Sequence, residues 1–190
     1  MYRLPPIEEF QAQTPEQQKQ TFDNLFEPCS SLSWFIQTYV LNRPRTFTTY
    51  GDFIELVRSE LLDFLEMQEF AKSRTNREVS PLVAEIIAAH PRLGVPKTTS
   101  LSEHSSAEQK NLGGGSDEMR QRLVELNAQY EARFPGLRYV VFVNGRGRDE
   151  IMEDMRRRIE RGSIELEREV AFNAICDIAL DRARKLSAKI

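Results

Sequence analysis

Apolar residues recur every three or four positions along most of this chain, which is the period of a buried helix face and not the alternation of a strand. From about Asp52 the residues Phe53, Val57, Leu61 and Phe64 follow at steps of 4, 4 and 3, and that stripe predicts a long helix packed on a core. Met119, Leu123, Leu126 and Tyr130 repeat at 4, 3 and 4 after Ser116-Asp117, predicting a second helix that stops at Phe134-Pro135-Gly136. Thr14-Pro15-Glu16-Gln17 places a capping threonine before a proline at the first helical position, with glutamine three residues on, and opens a helix through Phe26. Ser80-Pro81 opens another, with Val83, Ile86 and Ile87 inward. It must end near His90, because Pro91 disfavours helix in the residue before it. Further helices are expected around Trp34 to Leu41, Arg148 to Glu160 and Ile164 to Ser187.

Three stretches break the pattern. Arg92 to Gly115 is rich in Gly, Pro, Ser and Thr and reads as an irregular connection holding one short helix. Glu66 to Ser80 is long and polar and reads as an insertion. Leu137 to Val143 is an unbroken run of valines and aromatics that predicts an extended segment, with or without a partner strand, ended by Gly145-Arg146-Gly147. The expected fold class is all-α: one domain over residues 1–190, a bundle of about seven to nine helices with a short extended segment near 138–144.

Composition narrows the function classes. The chain has 190 residues, 40% hydrophobic and 29% charged, with a net charge of -3, enough for one sizeable core. No overall positive field is available to hold a polyanion, and Arg156-Arg157-Arg158 is the main basic cluster, so nucleic acid is not an expected partner. Cys29 and Cys176 stand alone, which gives neither a disulfide framework nor a zinc site and suits a reducing compartment. No run reaches the roughly 20 apolar residues of a membrane helix. Ala188-Lys189-Ile190 is a conservative variant of the Ser-Lys-Leu peroxisomal address, so the expected location is the peroxisome or the cytoplasm. Nucleotide-binding glycine motifs, GxSxG and HExxH are missing.

Four residues carry candidate chemistry. His90 at a helix exit can act as a general acid or base, or can satisfy the last carbonyls of its helix. Ser105-x-x-Glu108 reads as a capping box, although Glu108 is also an available carboxylate. His104, between Glu103 and Ser105, reads as solvated or as a competitor for the acid/base role. On the last helix Ala171, Ala174, Ile175, Ile178 and Ala179 form an apolar stripe that leads to Arg182. A guanidinium directed inward there requires a carboxylate, backbone carbonyls or an anionic ligand, unless its stem snorkels to water.

The order and spacing of His90-Pro91-x-Leu93, then Leu101-Ser102-x-x-Ser105-x-x-Glu108-Gln109, then Leu126-Asn127-x-x-Tyr130 running into Phe134 and Tyr139-Val140-Val141, resemble the 2-oxo-4-hydroxy-4-carboxy-5-ureidoimidazoline decarboxylases of urate degradation. Glu8, Phe10 and Trp34 near the start and Glu167, Ala171, Ile178 and Arg182 near the end extend the resemblance over most of the chain. It implies an all-helical homodimeric enzyme that needs no cofactor and releases carbon dioxide from a small-molecule substrate to give (S)-allantoin. It implies His90 as the catalytic acid/base with Glu108 beside it, and Pro91 at the pocket floor. Ser105, Glu108 and Gln109 would lie on the ring and ureido groups. Val140, Val141, Phe142, Val143 and Asn144 would offer backbone hydrogen bonds, and Arg182 matches a substrate-facing arginine. Residues 110–115 and 144–146 depart from the family's usual pattern. A non-catalytic helical adaptor, or an enzyme of the same fold acting on a related ureido acid, are the rival readings.

Overall fold

Local capping chemistry starts the helices that follow Thr14 and Ser80 where the sequence places them, whereas the short first helix at Ile7–Ala12 has no side-chain cap and is not among the expected elements. The computed structural model describes residues 2–43, 47–75, 77–94, 104 and 117–187. Eight α-helices form among them: α1 (Ile7–Ala12), α2 (Pro15–Leu25), α3 (Ser30–Phe35), α4 (Tyr50–Thr75), α5 (Pro81–Ala88), α6 (Asp117–Arg133), α7 (Arg148–Arg161) and α8 (Ile164–Ser187). At α2 the Thr14 amide donates to Gln17 Oε1 at 3.0 Å while the Gln17 amide donates to Thr14 Oγ1 at 3.4 Å, a reciprocal capping box. The same device opens α4, where the Asp52 amide donates to Thr49 Oγ1 and the Thr49 amide to Asp52 Oδ2, each at 3.0 Å. The Thr48 hydroxyl and amide, with Thr49 beside them, hold the Asp52 carboxyl below the usual carboxylate range.

The segment expected from Trp34 to Leu41 is two elements in series. α3 passes without a break into a π-helical stretch, Ile36–Leu41, in which the Asn42 amide reaches back five residues to the Gln37 carbonyl at 3.0 Å. The polar stretch after Phe64 is helical as far as Thr75, so α4 simply runs on past the core. Ion pairs dock that extension onto the start of α8, Glu69 to Arg168 at 2.5 Å and Lys72 to Glu165 at 3.5 Å. Residues 137–143 are non-helical and lie between α6 and α7 without a partner strand, and no strand occurs among the described residues. No described helix is long and apolar enough to cross a membrane. The C-terminal Ala188-Lys189-Ile190 lies outside the described residues.

All these elements share one hydrophobic core, with α4 and α8 as its central pair. Phe53 of α4 is the hub of an aromatic cluster: its ring lies 5.2 Å from Phe10 of α1, 5.3 Å from Phe47 and 6.2 Å from Phe22 of α2. Edge, tilted and stacked contacts of this kind add to the stabilisation from burial itself. Gly162 ends α7 at φ 67°, and a Cβ there would collide with the Arg133 guanidinium.

Because Phe53 is fully buried, Phe53→Ala should cost about 3–5 kcal/mol in chemical denaturation, more than Phe53→Leu, which keeps most of the volume.

Candidate active site

The charge that the apolar stripe of α8 carries inward is met by the end of α2. Arg182 is 1% exposed. Its Nη2 donates to Glu27 Oε1 at 2.7 Å, and its Nη1 donates to the Phe26 carbonyl. The second contact follows from how α2 ends: Phe26 is the C-cap, and Pro28 cannot continue the helix, so an orphan carbonyl and a carboxylate lie side by side. Glu27 was not among the residues singled out in the sequence. The available signal is an acid directly after the buried pair Leu25-Phe26 at a proline-terminated helix end.

His90 stands just past α5, where Pro91 stops the helix. Its backbone is fully used: the amide donates to the Ile87 carbonyl at 3.3 Å, and the carbonyl accepts from Arg138 Nη1 at 3.1 Å. Its ring is not, since neither imidazole nitrogen is hydrogen-bonded to a described residue, although the side chain is buried. The ring therefore does not cap the carbonyls of its own helix. Burial, and after it the positive charge of Arg182, push the His90 pKa down to about 3. The sequence had left the protonation state of this imidazole open. At neutral pH the ring is uncharged, with one donor and one acceptor nitrogen.

The chain after His90 is fastened by the Leu126-Asn127-x-x-Tyr130 motif. Asn127 Nδ2 donates to the Leu93 carbonyl at 3.1 Å and to the Leu123 carbonyl at 2.8 Å, while the Tyr130 hydroxyl donates to Glu167 Oε2 at 2.6 Å. Glu167 is fully buried and also receives Arg158 and Arg161, at 3.4 and 2.6 Å. Arg158 of the basic cluster 156–158 is thus buried and not at the surface. It is 7% exposed, pairs with Asp154 at 3.0 Å, lies 4.6 Å from the Tyr139 ring centre and donates to the Val140 carbonyl at 3.2 Å.

That last bond fixes the segment expected to contact substrate. Farther along, Arg146 Nε donates to the Val143 carbonyl at 3.2 Å and Nη2 to the Phe142 carbonyl at 2.5 Å. The corner is Asn144-Gly145, both with positive φ (45° and 75°), closed by the Arg146 amide on the Val143 carbonyl at 2.9 Å. An open cleft of about 420 Å³ runs between this segment and α8, bounded by Val141, Phe142, Asn144 and Arg146 on one side and Asn173 and Asp177 on the other. Neither His90 nor Arg182 is in its wall.

Of the residues expected at the site, His90 and Arg182 are brought together, while the 140–144 segment is tied to His90 only through the bond from Arg138 to the His90 carbonyl. Pro91 follows His90 directly, and Val140 to Asn144 follow Arg138. Ser105, Glu108 and Gln109 lie outside the described residues. His104 is half-buried and not merely solvated; its Nε2 is 3.1 Å from Asn24 Oδ1, three residues before Glu27. Among the described residues no group of three His, Cys, Asp or Glu side chains is placed to hold a metal ion.

The buried His90 sets a pH dependence of stability. The unfolded chain binds a proton at His90 below about pH 6.5 and the native chain does not, so this contribution is complete above pH 6.5 and is lost as pH falls toward 3. Relative to His90→Asn, which cannot titrate, the wild type should lose about 1.4 kcal/mol per pH unit below 6.5 in denaturant titrations. A constant difference from pH 7 to pH 4 would contradict a neutral, buried imidazole.

No curated protein sequence matches this chain. The family model described as OHCU decarboxylase matches residues 11–184, from α1 to beyond Arg182. With nearly the whole chain inside that match, the protein belongs to the OHCU decarboxylase family.

Proposed function

We propose that this chain converts 2-oxo-4-hydroxy-4-carboxy-5-ureidoimidazoline to (S)-allantoin in urate breakdown, with His90 as the general acid/base and no cofactor. Membership of the family supports a decarboxylase acting on a small molecule. The observation that carries the assignment of His90 is its buried, uncharged imidazole, with both nitrogens unused by described protein groups and the Arg182 guanidinium close enough to act on it.

The chemistry needs those two groups together. As the bond to the carboxylate breaks, its electron pair moves into the adjacent C=N, carbon dioxide leaves, and that ring nitrogen takes up a proton from water while the hydroxyl-bearing carbon becomes the product carbonyl. The substrate hydroxyl gives its proton to the free imidazole nitrogen, and the imidazolium returns a proton to one face of the ring carbon, which sets the hand of the product. An uncharged His90 is in the state required for the first transfer. Arg182, held by Glu27 and the Phe26 carbonyl, attracts the substrate carboxylate. A bound carboxylate offsets the positive charge that depresses His90, so the imidazole is more basic with substrate bound than in the empty site. Donors held rigid by the fold stabilise the developing charge without reorganising. In this reading Pro91 shapes the pocket floor, Ser105, Glu108 and Gln109 contact the ring and ureido groups, and the backbone of Val140 to Asn144 lines the other edge. A bland adaptor would have no reason to seat an unbonded imidazole beside a buried arginine.

Circular dichroism of allantoin formed from freshly oxidised urate tests this, because uncatalysed decay is not stereoselective. The wild type should give one enantiomer, and His90→Asn should lower that rate by about 10²-fold or more while leaving a native helical spectrum. Stereoselective turnover by His90→Asn at the wild-type rate would refute the assignment.

A further inference from the structure

The backbone from Val140 to Val143 is unusually one-sided. Three of its four carbonyls are occupied by guanidinium groups: Val140 by Arg158 at 3.2 Å, Phe142 by Arg146 at 2.5 Å and Val143 by Arg146 at 3.2 Å. Its four N–H groups, by contrast, are hydrogen-bonded to no described residue. Val140 and Val141 are buried, and buried backbone donors are ordinarily paired, so an unpaired row calls for water or a ligand. With no partner strand and the carbonyls engaged, the segment offers its surroundings four donors against a single acceptor, the Val141 carbonyl. Two residues before it, Arg138 Nη1 donates to the His90 carbonyl at 3.1 Å, which ties the chain leading into the donor row to the His90 backbone.

We infer that Arg146 and Arg158 are positioning residues: by occupying the carbonyls of residues 140, 142 and 143 they hold the segment so that its N–H groups form a donor row selecting an acceptor-rich ring anion. This rests on the decarboxylase reading for the identity of that anion. The two arginines act from different elements. Arg158 is fixed inside the core by Asp154 and Glu167, whereas Arg146 is half-buried at the Asn144-Gly145 corner and bonds only to the segment itself. A guanidinium fork reaches two acceptors at once; an ammonium is a single point. Lysine at either position therefore keeps the charge but loosens the carbonyl side.

The test uses Arg146→Lys and Arg158→Lys, with steady-state kinetics on freshly oxidised urate and the enantiomeric composition of the allantoin. Both variants should raise KM about tenfold, the effect of one misplaced hydrogen bond, with a kcat within about threefold of wild type and a less pure product. A purely structural role would reduce the folded fraction and hence the apparent kcat, but would leave KM and the product hand unchanged; that outcome overturns the inference. If Arg158→Lys fails to fold, Arg146→Lys alone decides, since its bonds lie at a turn and not in the core. Calorimetric titration with urate and with allantoin separates this inference from the reading it rests on. Binding that Arg146→Lys weakens, by a wild type that shows no turnover, supports the donor row and overturns the decarboxylase. A wild type that neither binds these rings nor turns over substrate overturns both.

Discussion

A guanidinium cannot give up its proton, so a fold that buries Arg182 must bring opposite charge and carbonyl oxygen to it. That requirement ties the last helix to the end of α2 through Glu27 and Phe26, two residues far away in the chain. It also decides the electrostatics of His90, whose neighbourhood is both dry and positive. Removing one partner of such a pair leaves an uncompensated buried charge, which is costly in a way that no exposed ion pair is.

A second buried charge organises the other half of the site. Glu167 receives Tyr130, Arg158 and Arg161, and Arg158 carries the network on to Asp154, Tyr139 and the Val140 carbonyl. Several hydrogen bonds converge on each charged group, so the desolvation of these groups is offset locally and the segment they hold is fixed in position. α6 contributes to both halves: Asn127 fastens the chain just after His90, and Tyr130, one turn on, feeds Glu167.

The two centres suit a decarboxylation differently. Arg182 favours an anion in the ground state and uncharged imidazole beside it. In the proposed reaction the donor row of residues 140–143 would hold the ring acceptors of the bound anion. Burial is the larger cause of the depressed His90 pKa and Arg182 the smaller; in the proposed reaction a carboxylate bound at Arg182 would offset the smaller one and make the imidazole more basic on substrate arrival.

Much of this was legible in the sequence because it is local. Apolar spacing, the Thr14 cap and the prolines at 15, 81 and 91 set helix existence, starts and stops from neighbours a few residues apart, and the all-α fold follows. The stripe of α8 led inward to Arg182 but left a snorkelling stem open, and the 1% exposure of Arg182 decides for the interior. The motif spacing identified the family, which the match over 11–184 bears out. What sequence spacing could not supply were partners and environments. Glu27 lies 155 positions from Arg182, and Arg138 lies 48 from His90. Arg158 was in sequence only one member of a basic cluster, and α7 turns it onto Glu167 and Val140. The pKa of His90 has the same origin: a side chain carries its ordinary titration in its covalent structure, but desolvation and a neighbouring charge exist only once distant segments have packed around it.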